Sequence, residues 1–121
     1  YALLHAPLVD EHGNAWIGRR TSIALMLHAS RGALVTYEKR HAGSLFDDPA
    51  MAAGTIPAKY ITATSHQKGG SWPLNCGPDV PEDREHVARY AAMARTSEGF
   101  ERYLEELGLA SHGAARTEEA A

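Results

Sequence analysis

Ser22-Ile23-Ala24-Leu25-Met26-Leu27-His28-Ala29, followed by Gly32 and Ala33-Leu34-Val35-Thr36-Tyr37-Glu38, is the stretch that decides the fold. Thr21 or Ser22 can cap a short helix through Ala29, and Gly32 ends it. Ala33 to Tyr37 is then a run of strand formers, as expected of a central parallel strand. A helix leading into such a strand across a short glycine-containing link predicts an α/β fold: part of an open, mainly parallel sheet flanked by helices. The helix is apolar on every side from Ile23 to Leu27. It is expected to be buried all round or covered by a partner.

Upstream, Leu3 to Val9 reads as a buried strand interrupted by His5 and Pro7. Asp10-Glu11-His12-Gly13-Asn14 reads as a turn, because Gly13 and Asn14 tolerate positive φ. Ala15-Trp16-Ile17 is the return strand. The chain opens at Tyr1 inside the first strand, so it reads as the C-terminal part of a larger subunit.

Downstream, Asp47-Asp48-Pro49 opens a helical turn that ends at Gly54. Ile56-Pro57 leads into a strand at Tyr60 to Thr64. His66 to Asp79 is a loop rich in Gly and Pro, and loops of that length are often functional. Two helices close the chain. The first is opened by Pro81 with Asp79 as its cap, and carries an apolar stripe at Val87, Tyr90, Ala91 and Ala94. The second begins at Thr96-Ser97-Glu98, is striped by Phe100, Tyr103, Leu104 and Leu107, and is closed by Gly108. Residues 1–110 are thus the folded part, and Ser111 to Ala121, without apolar periodicity, is expected to be a disordered tail.

The 121 residues suit one domain or part of one, and the formal net charge is −3 with both signs mixed. No Lys/Arg stripe points to nucleic acid, and no basic amphipathic helix or long apolar run points to a membrane. No secretory signal is visible, and a reducing cytoplasm is the expected setting for a chain with a single cysteine. Cys76 is the one cysteine, which rules out an intrachain disulfide.

Seven histidines are scattered, and no pair has the close spacing of zinc ligands, so no metal site is expected. The Gly-x-Ser-x-Gly elbow, the Gly-x-Gly-x-x-Gly fingerprint and the P-loop are all absent. Gly69-Gly70-Ser71 either lets backbone approach a ligand or merely shapes a turn. Glu38 and His41 lie past the buried strand, at the sheet edge where open α/β folds bind ligands. The plainer reading of Glu38 is an acid paired with a nearby Arg or Lys. Trp72-Pro73 is a packing plug or a pocket wall. Cys76 reads as an ordinary loop cysteine, since no local base or helix N-terminus activates it.

Four segments carry a resemblance. Asp10-Glu11-His12-Gly13-Asn14-Ala15 resembles an Asp-x-x-Gly-Asn turn, and Leu34-Val35-Thr36-Tyr37-Glu38 resembles a strand ending in Val-Thr-Val-Glu. Ile56-Pro57-Ala58-Lys59-Tyr60-Ile61 resembles Ile-Pro-x-x-Tyr-Val. Gly70-Ser71-Trp72-Pro73, with Tyr90 and the run from Thr96 to Leu104, resembles the close of an α subunit. In this order, from Tyr1 to about Leu107, they are similar to family I coenzyme A-transferases, and to the α subunit of glutaconate CoA-transferase-like proteins in particular.

The resemblance implies open α/β subunits, α paired with β, that move CoA between an acyl-CoA thioester and a carboxylate acid. It implies a covalent glutamyl-CoA step whose glutamate belongs to the β subunit. The family's glycine-rich segment lies in the N-terminal half of the α subunit, and neither feature has a counterpart here. No catalytic residue is therefore assigned, and Glu38, His41, Ser71 and Trp72 are expected as substrate-binding, cleft-shaping residues. No permanently bound cofactor is expected, with a coenzyme A thioester as substrate. The implied partners are a β subunit and the missing N-terminal half, so the isolated chain is expected to be inactive. Two positions depart from the pattern. Lys39 stands where the family often has a second acid, and Trp72 where it often has the His of Gly-Ala-His-Pro. These leave room for a ring-opening CoA-thioester hydrolase on the same scaffold, or for a non-catalytic assembly module.

Overall fold

A computed structural model describes residues 1–109, and two parallel strands form its centre. The tail expected from Ser111 to Ala121 lies outside these residues. The chain divides into two units, Tyr1–Glu82 and a second from Asp83.

The first unit holds a mixed sheet of five strands: β1 (Ala2–Asp10), β2 (Ala15–Trp16), β3 (Ala33–His41), β4 (Thr55–Ile56) and β5 (Ala63–His66). Their order is β4-β2-β1-β3-β5. β3 runs parallel to both β1 and β5, while the short β2 and β4 are antiparallel additions at one side. Helix α1 (Thr21–Ala29) links the β1–β2 hairpin to β3, which is the helix-to-parallel-strand arrangement predicted. Alternation along the strands puts Ala2, Ala6, Ala33, Val35 and Tyr37 into one core with Leu27 of α1.

The opposite sheet face is thinly covered. Leu3 and Leu34 are register partners, yet they stay 72% and 43% exposed. All four residues of β5 are exposed as well. Parallel sheets normally carry a layer on each face. Among the described residues, α1 does not bury all round: Leu27 alone is fully buried, and Leu25 and Met26 are open.

The β1–β2 turn is a carboxylate staple. Asp10 is fully buried and accepts from the amides of His12, Asn14 and Leu45 at 2.8–3.0 Å, and from Asn14 Nδ2 at 2.8 Å. Asn14 Oδ1 in turn accepts from the Ala58 amide at 2.8 Å. Gly13 takes φ +83°, the left-handed conformation that closes the turn. Burial would raise the Asp10 carboxyl, but the amide and Asn14 hydrogen bonds outweigh it and hold the acid below its ordinary value. The Asp-x-x-Gly-Asn signature is thus a structural clasp tying three segments together.

Several boundaries differ from expectation. Arg20, which contributes no side-chain cap, precedes α1, so Thr21 and Ser22 lie inside the helix. Tyr60 ends a 3₁₀ turn (Ala58–Tyr60), because Asn14 captures the Ala58 amide, and the next strand begins only at Ala63. α2 (Pro49–Ala52) has the expected Asp48 cap and Pro49 start.

In the second unit, α3 (Arg84–Met93) starts three residues after the predicted Pro81, with Asp83 capping the His86 amide at 3.0 Å. Asp79 cannot serve as that cap because it pairs with Lys39, and a bridge between Cys76 and Val80 keeps the chain extended there. Thr96 caps α4 (Ser97–Glu106) as predicted, accepting from the Gly99 amide at 3.1 Å. α3 and α4 pack through Tyr103, whose hydroxyl lies 2.8 Å from His86 Nε2 and whose ring meets Tyr90 at 5.0 Å.

Candidate functional site

Glu38 is 6% exposed and stands inside β3, because pairing with β1 continues to His41. Among the described residues, its partner is not a nearby Arg or Lys. Its carboxylate Oε1 lies 2.7 Å from His5 Nε2, across 33 residues of sequence. Oε2 accepts the Gly69 amide at 2.8 Å, and the nearby Ser71 amide further favours the ionised carboxylate. His5 Nδ1 lies 2.7 Å from the Thr36 hydroxyl. An ionised carboxylate only accepts, so His5 Nε2 carries the hydrogen. Nδ1 then faces the Thr36 hydroxyl. The result is a chain of polar contacts, Thr36–His5–Glu38, closed over by the loop after β5.

That loop explains the two glycines. Gly69 adopts φ +75°, which turns its amide onto Glu38. Gly70 lies flat on His5: a Cβ there would sit 2.7 Å from the ring's Cε1 and 2.8 Å from Nδ1. Burial pushes the Glu38 carboxyl up, but the Gly69 amide, the bond and charge of His5 and the Ser71 amide together hold it below the ordinary value. The loop therefore presents a stably ionised buried carboxylate.

Cys76 is buried beside this group. Burial raises its thiol pKa, the Glu38 charge adds to that, and Arg20 and Ser71 oppose it weakly. The thiol stays protonated and is a poor nucleophile. The Ser71 hydroxyl is buried without a hydrogen bond of ordinary geometry, although it lies close enough to Cys76 to favour a thiolate slightly. One ligand atom each of His5, Glu38 and Cys76 falls within 4.8 Å of the others, a donor set that a soft divalent ion accepts. His5 and Glu38 of this set are also bonded to one another.

A cavity of about 130 Å³ adjoins the cluster, walled by Pro7, Trp16, Met51 and Val80, with Glu38 and Cys76 also on its surface. Lys39 sits at this cavity too, paired with Asp79 at 2.9 Å. Of the predicted site residues, Glu38 and Ser71 are brought together. Trp72 follows in the same loop and is half exposed. His41 ends β3 opposite Asp10, an odd number of residues from Glu38, and so leaves the other sheet face. His5, Thr36 and Gly69 were not singled out as partners of Glu38 from the sequence. The signal for His5 was its place as a polar interruption in an apolar strand, which the parallel register sets directly beside Thr36.

No family model matches the sequence. The chain is 30% identical over 106 residues to an uncharacterized protein of Archaeoglobus fulgidus, covering 86% of this chain and 23% of that protein. Among solved structures, the decarboxylase AibA/AibB is 31% identical with a TM-score of 0.71, over 88% of this chain and 37% of that one. Glutaconate coenzyme A-transferase from Acidaminococcus fermentans is 20% identical with a TM-score of 0.75, over 89% of this chain and 35% of that one. The chain thus spans about a quarter of the curated relative and little more than a third of either structure. It has the open α/β scaffold of glutaconate coenzyme A-transferase. Among the described residues, no helix is long and apolar enough to cross a membrane.

Proposed function

We propose that this chain is the C-terminal segment of a CoA-transferase α-subunit-like protein, with residues 1–110 as its folded part. Together with a β subunit and an N-terminal half, it moves CoA between an acyl-CoA thioester and a carboxylate acid. The observation that carries this reading is the scaffold match to glutaconate coenzyme A-transferase over nearly the whole chain, with four sequence segments of the same family in order. The uncovered sheet face at Leu3 and Leu34 and the open side of α1 suit a chain that meets further polypeptide. Glu38 and Ser71 shape the cleft and Trp72 lies at its rim, while the covalent step belongs to the partner.

A second reading has its own support: the 31% identical neighbour is a decarboxylase. One experiment separates the alternatives. The chain is reconstituted with its upstream and neighbouring gene products and supplied with acyl-CoA thioesters. CoA appearing on an added carboxylate supports transfer. Free CoA with water alone as acceptor indicates hydrolysis, and release of carbon dioxide indicates decarboxylation. A stable complex with none of these products would leave an assembly module and sink the enzymatic reading. Ordinary turnover by the 121-residue chain alone would sink the division of labour.

A further inference from the structure

The cavity beside Glu38 has walls of one chemical kind and a charge at one side. Pro7, Trp16, Met51 and Val80 are apolar, and Cys76 presents a protonated thiol. The Glu38 carboxylate is ionised, and its oxygens already bond His5 and the Gly69 amide. Lys39 is the cation on this surface, and its charge is offset by an ion pair with Asp79 at 2.9 Å. Arg20 is felt electrostatically at Cys76, but it is exposed and does not line the space. A ligand entering here finds apolar contact on most sides. A ligand carboxylate would lose its water and meet a like charge beside a Lys39 whose positive charge Asp79 already offsets, which is costly in a partly buried site.

We propose that this cavity binds a short, uncharged aliphatic group and discriminates against the same group ending in a carboxylate. Its size sets the length: about 130 Å³ is a little below the roughly 150 Å³ of an apolar cavity known to hold benzene, or about four water-sized units at roughly 30 Å³ each. A straight or branched chain of about four or five carbons matches that space. That the group is the acyl chain of a CoA thioester rests on the proposed function. The cavity's preference for a neutral tail does not.

The test titrates the uniformly ¹⁵N-labelled 121-residue chain with valeramide and, separately, with glutaric acid monoamide, which has the same length but ends in a carboxylate. The expected result is saturable shifts of the Trp16 indole and the Val80 amide with valeramide, and at least tenfold weaker binding of the monoamide. Equal affinity, or shifts that avoid Trp16 and Val80, overturns the proposal. Glu38→Gln narrows the gap to about twofold if the charge is the cause, and an unchanged gap counts against it. Because the two-ligand comparison uses the unaltered chain, a variant that fails to fold does not remove the test. In the reconstituted complex, valeryl-CoA is then compared with glutaryl-CoA. Transfer that favours glutaryl-CoA defeats the cavity's assignment while leaving the transferase reading intact. Valeramide binding with no acyl-CoA turnover does the reverse.

Discussion

Asp10 and Glu38 are both buried acids held below their ordinary pKa, yet they sit in regions built for different ends. Asp10 closes on its own neighbourhood. Three of its four hydrogen bonds come from residues within four positions, and the Leu45 amide completes the set. Glu38 reaches far along the chain, to His5 on β1 and to a glycine loop some thirty residues later, with a cavity at its side. A carboxylate saturated by local amides fixes a turn. A carboxylate held by a long-range histidine and a glycine loop fixes the wall of a space.

If that contrast is right, the largest effect on stability comes from Asp10. Asp10→Ala strands the buried amides of Asn14 and Leu45, from two segments, and a loss of about 3 kcal/mol or more is expected in urea unfolding. Valeramide shifts at Trp16 should be unchanged in the fraction that stays folded. Glu38→Ala is expected to cost less, about 2 kcal/mol, since the Gly69 loop is already exposed and its amides can turn to water. It should abolish the cavity's discrimination between neutral and anionic ligands. The reverse order, with Glu38 the larger stability term and Asp10 the one that alters ligand choice, would break the comparison.

Acid should act on both sites in the same direction and more gently than either deletion, because a protonated carboxyl still offers acceptor oxygens. Both acids have folded pKa values below their unfolded ones. Their contribution is therefore complete above the unfolded carboxylate range, near pH 4, and is lost as pH falls through the depressed folded values. The urea midpoint should drop below about pH 4, and Asp10→Asn should flatten that drop. A midpoint independent of pH between about 5 and 2 would mean that neither acid is held as described.

The sequence revealed the frame because the frame is written in local patterns. Ala33 to Tyr37, the Gly13 turn and the Thr96 cap each need only their neighbours to be read. Glu38 was visible as a candidate for the same reason, at the end of an apolar run. Its partner was not: proximity in sequence favoured a nearby Arg or Lys, whereas the parallel register of β1 and β3 delivers His5. Cys76 looked inert because nothing beside it in sequence could activate it. In the fold it gains charged neighbours, but burial and Glu38 keep it protonated all the same. The start of α3 was misread because Asp79 has a long-range partner that the sequence alone does not announce.

A smaller effect sharpens the comparison at the loop. Gly70→Ala places a Cβ against the His5 ring at under 3 Å, so the ring or the loop must shift. About 1 kcal/mol of stability should be lost, with no comparable loss for Gly43→Ala beyond its backbone strain, since nothing packs on Gly43. The smallest effect belongs to Lys39 and Asp79. Both side chains are more than 60% exposed, so their ion pair should contribute about 0.5 kcal/mol or less to stability in a double-mutant cycle. Its consequence lies elsewhere. Lys39 is the cation at the cavity, and Asp79 keeps it occupied. Asp79→Asn should therefore leave the urea midpoint nearly unchanged while improving binding of the anionic monoamide several-fold, as the freed ammonium becomes available to it. A stability change with no change in ligand preference would show that the pair is a surface strut, and that Glu38 alone sets the charge of the wall.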